Sequence, residues 1–129
     1  MKALFDSSAI FRAVKENKIE VLAGNYTLEL ARYELGNIIW KDCVLHAKVS
    51  EQEAKMMAKT INHVLNLMDL IEIAGSEDEI LDTAIKLKIT FYDASYAYFA
   101  KAKDLRLITE DTRLIKKITS TTNATSCQR

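Results

Sequence analysis

The chain has no proline and only three glycines (Gly24, Gly36 and Gly75), where average usage of about 5% and 7% predicts roughly six and nine in 129 residues. No two of the glycines lie close enough for a loop that grips phosphate through backbone amides. This excludes the dinucleotide fingerprint and the P-loop, and with them a nucleotide cofactor. Cysteine is as scarce. Cys43 and Cys127 form neither a disulfide framework nor a CxxC metal pair, so a reducing cytoplasm is the expected compartment. His46 and His63 stand apart, without metal-ligand spacing. No apolar run approaches the roughly 20 residues that span a bilayer. The opening Met1-Lys2-Ala3-Leu4-Phe5-Asp6 meets a carboxylate at once, so neither a signal peptide nor an association with membrane is expected. An excess of either charge is also missing: 18 Lys and Arg balance 18 Asp and Glu. Zero net charge argues against indiscriminate binding of nucleic acid.

What is present suits one soluble domain. The chain is 49% hydrophobic and 28% charged, and at this length roughly two thirds of the unfolded surface can be buried. Ala3-Leu4-Phe5 reads as a buried strand that stops at Asp6 and the hydroxyls Ser7-Ser8, followed by a short helix over 9–16. Residues 19–23 fit a helical turn or a weak strand equally well. The apolar positions between Leu28 and His46 predict a helix with a broad buried face. Ser50-Glu51-Gln52-Glu53 resembles a capping box opening a helix to about Leu67, with Met56 and Met57 as core filler. Leu70–Ile73 reads as a strand, and Ser76-Glu77-Asp78-Glu79 caps a helix. Residues 93–102 predict a helix, 105–109 a strand that again stops at acids, and 112–118 a last helix. This alternation implies an α/β fold whose parallel sheet is covered on both faces. The domain is expected over residues 1–118, with the Ser- and Thr-rich stretch 119–129 as a loosely ordered tail.

Most of the acids fall in charged or capping stretches. Asp6, Glu34, Asp93 and Asp111 do not. Asp6 and Asp111 each follow an apolar strand, and the carboxyl ends of strands are where ligands bind in open α/β sheets; the plain alternative for each is a helix N-cap. Glu34 lies in mid-helix among Leu30, Ala31, Asn37 and Ile38 with no cation in local reach. An unpaired carboxylate on an apolar face costs several kcal/mol. Asn37, one turn on, shares that face. Asp93 has Ile89, Thr90, Tyr96 and Ala97 at helical spacing, a context that an N-cap role explains only in part. Asp69 precedes a strand and belongs to the opposite end of the sheet. Four carboxylates converging at one end repel one another unless a cation is bound. Oxygen donors without His or Cys favour Mg²⁺ or Mn²⁺, and the chemistry such an ion supports is phosphodiester hydrolysis.

At these residues the sequence resembles the PIN-domain nucleases, and within them the VapC-like ribonuclease toxins of prokaryotic toxin–antitoxin pairs. The pieces are Leu4-Phe5-Asp6-Ser7-Ser8, Tyr33-Glu34-Leu35-Gly36-Asn37, Tyr92-Asp93-Ala94-Ser95-Tyr96-Ala97, and Leu107-Ile108-Thr109-Glu110-Asp111 before Leu114. They cover nearly the whole chain in order. The resemblance implies a three-layer α/β/α sandwich around a mainly parallel sheet of four to five strands. It implies a metal-binding acidic cluster of Asp6, Glu34, Asp93 and Asp111, with the ion on Asp6, Asp93 and Asp111. Ser7 and Thr109 would be hydrogen-bonding accessories and Asn37 a supporting residue. It further implies endoribonuclease activity with Mg²⁺ or Mn²⁺, a homodimer, and a VapB-like antitoxin as partner. Two departures stand out. The family often has glycine in the turn before the last core strand, where this chain has Lys103-Asp104, and the family's final strand is hard to see in residues 119–129.

Residues 112–129 contain Arg113, Lys116, Lys117 and Arg129 and no acid. They form either a solvated helix end, where lysine favours the dipole, or a stretch that steers RNA phosphates, for which Arg113, Lys116 and Lys117 are the candidates. Two other functions compete with a nuclease. A PIN-like scaffold can hold RNA or protein without cutting, since fold alone does not fix function. A phosphoryl-acceptor domain would use Asp6 or Asp111, but Lys103 stands too far before a strand end to supply the lysine it needs.

Overall fold

The computed structural model describes residues 2–119 and the backbone of residues 124–125. Strand β1 (Ala3–Phe5) runs into helix α1 (Ser7–Lys15), a 3₁₀ turn (Ile19–Val21) and strand β2 (Tyr26–Leu28). Helix α2 (Leu30–Trp40) continues into a π-helical turn (Lys41–Leu45), then α3 (Glu51–Asn66) and β3 (Asp69–Ile71). Helices α4 (Glu77–Leu87) and α5 (Phe91–Ala102) precede β4 (Arg106–Ile108), α6 (Thr112–Ile118) and β5 (Ala124–Thr125). Among the described residues no helix is long and apolar enough to cross a membrane.

The strands pair in the order β3-β2-β1-β4-β5, and every pairing is parallel. Parallel neighbours need crossovers, and the helices supply them. Successive side chains of a strand point to opposite faces, and the two cores follow from that. Ala3 and Phe5 of β1 and Ile108 of β4 face a core built with α1, α2 and α3 through Ile10, Leu35, Val64 and Leu65. Leu4 and Leu107 face the other core, with Ile80 of α4, Tyr96 and Phe99 of α5, and Leu114 and Ile118 of α6. The result is the expected α/β/α sandwich. From β1 the chain builds outward through β2 to β3, then returns across the sheet to lay β4 on the other side of β1. A crevice therefore opens at the carboxyl ends of β1 and β4, where the winding reverses.

Several boundaries depart from the sequence reading. Tyr26–Leu28 is a strand that the helical pattern after it conceals, and α2 stops at Trp40 while the π-helical turn takes the chain on to Leu45. Residues 19–21 are the helical alternative of the two left open. Thr90, not Asp93, caps α5: its hydroxyl accepts the Asp93 N–H at 3.0 Å. The Ser50 capping box is present as read. Met56 is not core filler; it lies 63% exposed, while Met57 packs at the edge of the first core. Periodicity assigns a face to a residue without saying whether anything covers that face. In the expected tail 119–129, the backbone of 124–125 pairs with β4 as a parallel edge strand. Thr119 ends α6 as its C-cap, and the rest of that stretch lies outside the described residues.

Asp104 adopts the left-handed conformation (φ 53°) in the turn before β4, and Lys88 does so (φ 56°) at the end of α4. Asp tolerates that region through local hydrogen bonding; lysine has no such relief. Left-handed backbone costs an L-residue roughly 1–2 kcal/mol, and glycine gives back about 0.5–1 kcal/mol through its looser unfolded chain. Lys88→Gly is therefore expected to stabilise the protein by up to about 1 kcal/mol, read as a higher urea midpoint with unchanged m-value.

Candidate active site

The crevice at the reversal gathers its side chains from both layers. Asp6 leaves β1 and its Oδ1 accepts the N–H of Ala9 at 3.0 Å, capping α1, and the hydroxyl of Ser8 at 2.7 Å. On the β4 side, Asp111 caps α6: its Oδ1 accepts the N–H groups of Arg113 at 3.0 Å and Leu114 at 3.2 Å. The capping alternative is therefore real for both, but the cap bonds use one oxygen of each carboxylate. Helix α2 presents Glu34 from the first layer and α5 presents Asp93 from the second, both half-buried.

Hydroxyl groups tie the two strand ends together. Thr109, fully buried after β4, accepts the N–H of Asp111 at 3.1 Å, lies 3.4 Å from the Ser8 hydroxyl and hydrogen-bonds Asp6. Ser8 in turn accepts the N–H of Glu110 at 3.1 Å. Arg12 of α1 closes the outer side by donating to Glu110 at 2.7 Å. Thr109 thus links the ends of β1 and β4. Ser7 reaches Glu34 with a hydrogen bond. Asn37 is exposed one turn beyond Glu34, and among the described residues its side chain makes no hydrogen bond to the acids.

Three contacts had no signal in the sequence. Tyr96, buried in α5, donates its hydroxyl to Oε1 of Glu34 at 2.8 Å, so Glu34 is partnered by a neutral donor 62 residues away rather than by a cation. Ser8, the second of two adjacent serines, is the bridge between the strand ends. The Arg12–Glu110 pair spans 98 residues. Only the apolar context of Glu34 hinted that a distant donor was needed.

Electrostatics links the four acids in series. Burial raises the Asp6 carboxyl to about 6, against the Thr109, Ala9 and Ser8 hydrogen bonds that lower it, and Glu34 raises it further. Burial also raises Glu34, opposed by Tyr96 and Ser7 and reinforced by Asp93. Asp93 is raised by burial and then by Asp111, while Thr90 and the Arg113 guanidinium lower it. The Tyr96 phenol is driven upward by burial and by Glu34, so it stays a donor. Asp6, Glu34 and Asp93 thus each suffer from the next acid in the series. Among the described residues, however, no three His, Cys, Asp or Glu side chains lie close enough to hold a metal ion directly. The donor chemistry fits a hard divalent ion that keeps water in part of its shell, as Mg²⁺ does. Arg113 is exposed beside Asp93. Lys116 is exposed on α6, and Lys117 donates to the Lys88 carbonyl at 2.9 Å, which draws it toward the α4–α5 turn.

The Asp6 shift sets a pH dependence for the protein without metal. A carboxyl whose folded value lies above its unfolded value binds protons more tightly in the native state, so stability falls as pH rises between them. From about pH 4 to above pH 6 the loss is on the order of 3 kcal/mol. Urea denaturation in chelator is expected to show wild type less stable at pH 7 than at pH 4.5, and Asp6→Asn, which keeps the cap, to show a clearly smaller fall, the remainder coming from the raised Glu34 and Asp93 carboxyls.

No protein-family model matches the chain. Exonuclease VapC9 of Pyrobaculum aerophilum is 36% identical over 90 residues, covering 70% of this chain and 64% of its own length. The chain thus spans less than two thirds of that relative. Ribonuclease VapC3 of the same organism is 28% identical over 128 residues, covering 91% of this chain and 95% of its own. Among solved structures, PAE2754 of Pyrobaculum aerophilum superposes with a TM-score of 0.82 at 28% identity over 99% of this chain and 90% of that one. The chain is thus similar in sequence to relatives named VapC over most of its length, and in fold to PAE2754.

Proposed function

We propose that this protein is a divalent-metal-dependent endoribonuclease, the toxin of a VapBC-like pair. The observation that carries the reading is the series of four carboxylates, each pushing up its neighbour, at the point where the sheet reverses. Such a concentration of like charge destabilises the empty protein, so a cation is favoured there. Asp6, Asp93 and Asp111 are the residues that would hold Mg²⁺ or Mn²⁺. A bound divalent ion supplies activation of water and neutralisation of charge on the leaving oxygen. The chain's own groups do the rest. Ser8 and Thr109 fix the Asp6 carboxylate against β4. Glu34, its basicity raised by burial and its orientation set by Tyr96, takes the proton of the attacking water as the water oxygen bonds to phosphorus and the ester bond to the leaving oxygen breaks. Arg113 offers its charge to a substrate phosphate beside Asp93, with Lys116 further along α6.

Partner and oligomer belong to the same proposal. Trp40 at the end of α2, Val44 and Leu45 in the π-helical turn that follows, and Met56 on α3 are large exposed hydrophobic side chains, and a surface of that kind suits a VapB-like antitoxin segment or a second copy of the chain. One observation favours a PIN-like module that binds without cutting: no three acids converge directly among the described residues.

Cleavage separates the two. With Mn²⁺ or Mg²⁺ the protein is expected to cut single-stranded RNA, to lose activity in chelator, and to slow by about 10²-fold or more in Glu34→Gln. Asp93→Asn is expected to abolish both cleavage and the rise in Tm on adding Mn²⁺. Circular RNA distinguishes the mode of attack, since an endonuclease linearises it and an exonuclease leaves it intact. RNA that is bound but never shortened would establish the binding module instead.

A further inference from the structure

A cleft of about 350 Å³ lies between α2 and α5, on the carboxyl side of β2 and β3. Its apolar walls are Leu30, Ile71, Ile73, Phe91 and two tyrosines, Tyr33 and Tyr92. Both tyrosines are unusually exposed for their size, at 77% and 59%. Each immediately precedes one of the acids: Tyr33 stands before Glu34 and Tyr92 before Asp93. The same two helices that carry these carboxylates therefore form the cleft, which adjoins the acidic end of the sheet.

The polar groups of the lining are Glu29, Glu72, Glu77 and Ser95, with no lysine or arginine among them. Glu29 is paired with Arg32 and Glu77 accepts the Gly75 N–H, while Glu72 is exposed on the strand exit. An acidic, aromatic cleft repels a phosphate and accepts a flat, neutral group bearing N–H donors. Unpaired RNA bases are recognised in this way, by stacking on aromatic side chains and hydrogen bonding at their edges.

We propose that this cleft is a base-binding subsite, in which an unpaired nucleobase next to the phosphate at the acidic end stacks on Tyr92 and Tyr33 and offers an amino edge to the carboxylates. Bases with an exocyclic amine, adenine, cytosine and guanine, satisfy those acceptors. Uracil places a carbonyl oxygen on each side of its single N–H, and both oppose a carboxylate. The inference rests on RNA as the ligand of the acidic end, not on its cleavage.

The test is binding of fluorescently labelled oligo(A), oligo(C) and oligo(U) to the full chain by anisotropy, with Ca²⁺ present to offset the acidic charge. Wild type is expected to bind oligo(A) and oligo(C) more tightly than oligo(U). Tyr92→Ala weakens oligo(A) binding by about tenfold and erases the preference; Tyr92→Phe keeps both, because stacking needs only the ring. Glu72→Gln narrows the gap to oligo(U). Both tyrosines are exposed, so their loss leaves the fold intact, which the Tm checks. Equal binding of the three RNAs by wild type and Tyr92→Ala, or no RNA binding at all, overturns the subsite. Base-selective binding without cleavage in Mn²⁺ overturns the nuclease reading alone, and cleavage in Mn²⁺ without base selection overturns the subsite alone.

Discussion

The carboxylate of Asp6 sits at 6% exposure between the first strand and the first helix, with Ala9, Ser8 and Thr109 supplying its hydrogen bonds. Charged groups are costly to bury, and these three donors do not fully replace the lost water, because the group still titrates near 6. Much of the surrounding structure is arranged around that residual cost. Ser8 and Thr109 each bond to backbone of the 109–111 turn as well as to Asp6 or to one another, so the end of β1 and the end of β4 are held as one unit. The Arg12–Glu110 pair braces the same turn from outside. Glu34 and Asp93 then approach from opposite layers, adding repulsion where the local groups have already been used.

The carboxylates of Asp6 and Asp111 show why capping and ligand binding are not rivals. A helix N-terminus attracts negative charge and offers N–H donors. In both residues the cap is made through Oδ1. Capping therefore orients the carboxylate without consuming it, and the short helices that follow the strands act as mounts for the acids. Glu34 is mounted differently. It stands on a helix flank and depends on the Tyr96 hydroxyl, itself held by a core of α5 whose small residues Ala94, Ala97 and Ala100 allow close packing against the sheet.

The parts of this site that were legible in the sequence are those with a local signature. A strand that stops at an acid, twice, and a glutamate without a cation within one helical turn are visible in linear spacing. The order of the strands is not, and it brings the end of β1, with Asp6, beside the end of β4 that leads to Asp111. Strand β2 was hidden because three residues, Tyr26–Leu28, carry too little alternation to stand out before a long helical pattern. Tyr96 looked like one aromatic among several in α5; its role depends on a contact 62 residues away. Asn37 and Met56 illustrate the converse, since helical spacing assigned each to a buried or functional face and the structure leaves both exposed. Spacing reports neighbours along a helix, while burial depends on which helix lies across from it.

Charge balance gains a different meaning once the residues are placed. A chain of zero formal net charge has no strong overall field to draw in a polyanion. The site end is acidic, and of the cations near it Arg113 already offsets Asp93 while Lys117 is committed to the Lys88 carbonyl. Contact with phosphates can therefore contribute little until a cation occupies the acids. On the proposed reading, the affinity for RNA under that constraint falls to groups whose interaction does not depend on net charge. Exposed aromatic rings meet that requirement, because stacking is insensitive to the sign of the local potential. The placing of Tyr33 and Tyr92 immediately before Glu34 and Asp93 then couples the two proposed tasks mechanically: any shift of α2 or α5 that moves a carboxylate moves the ring beside it.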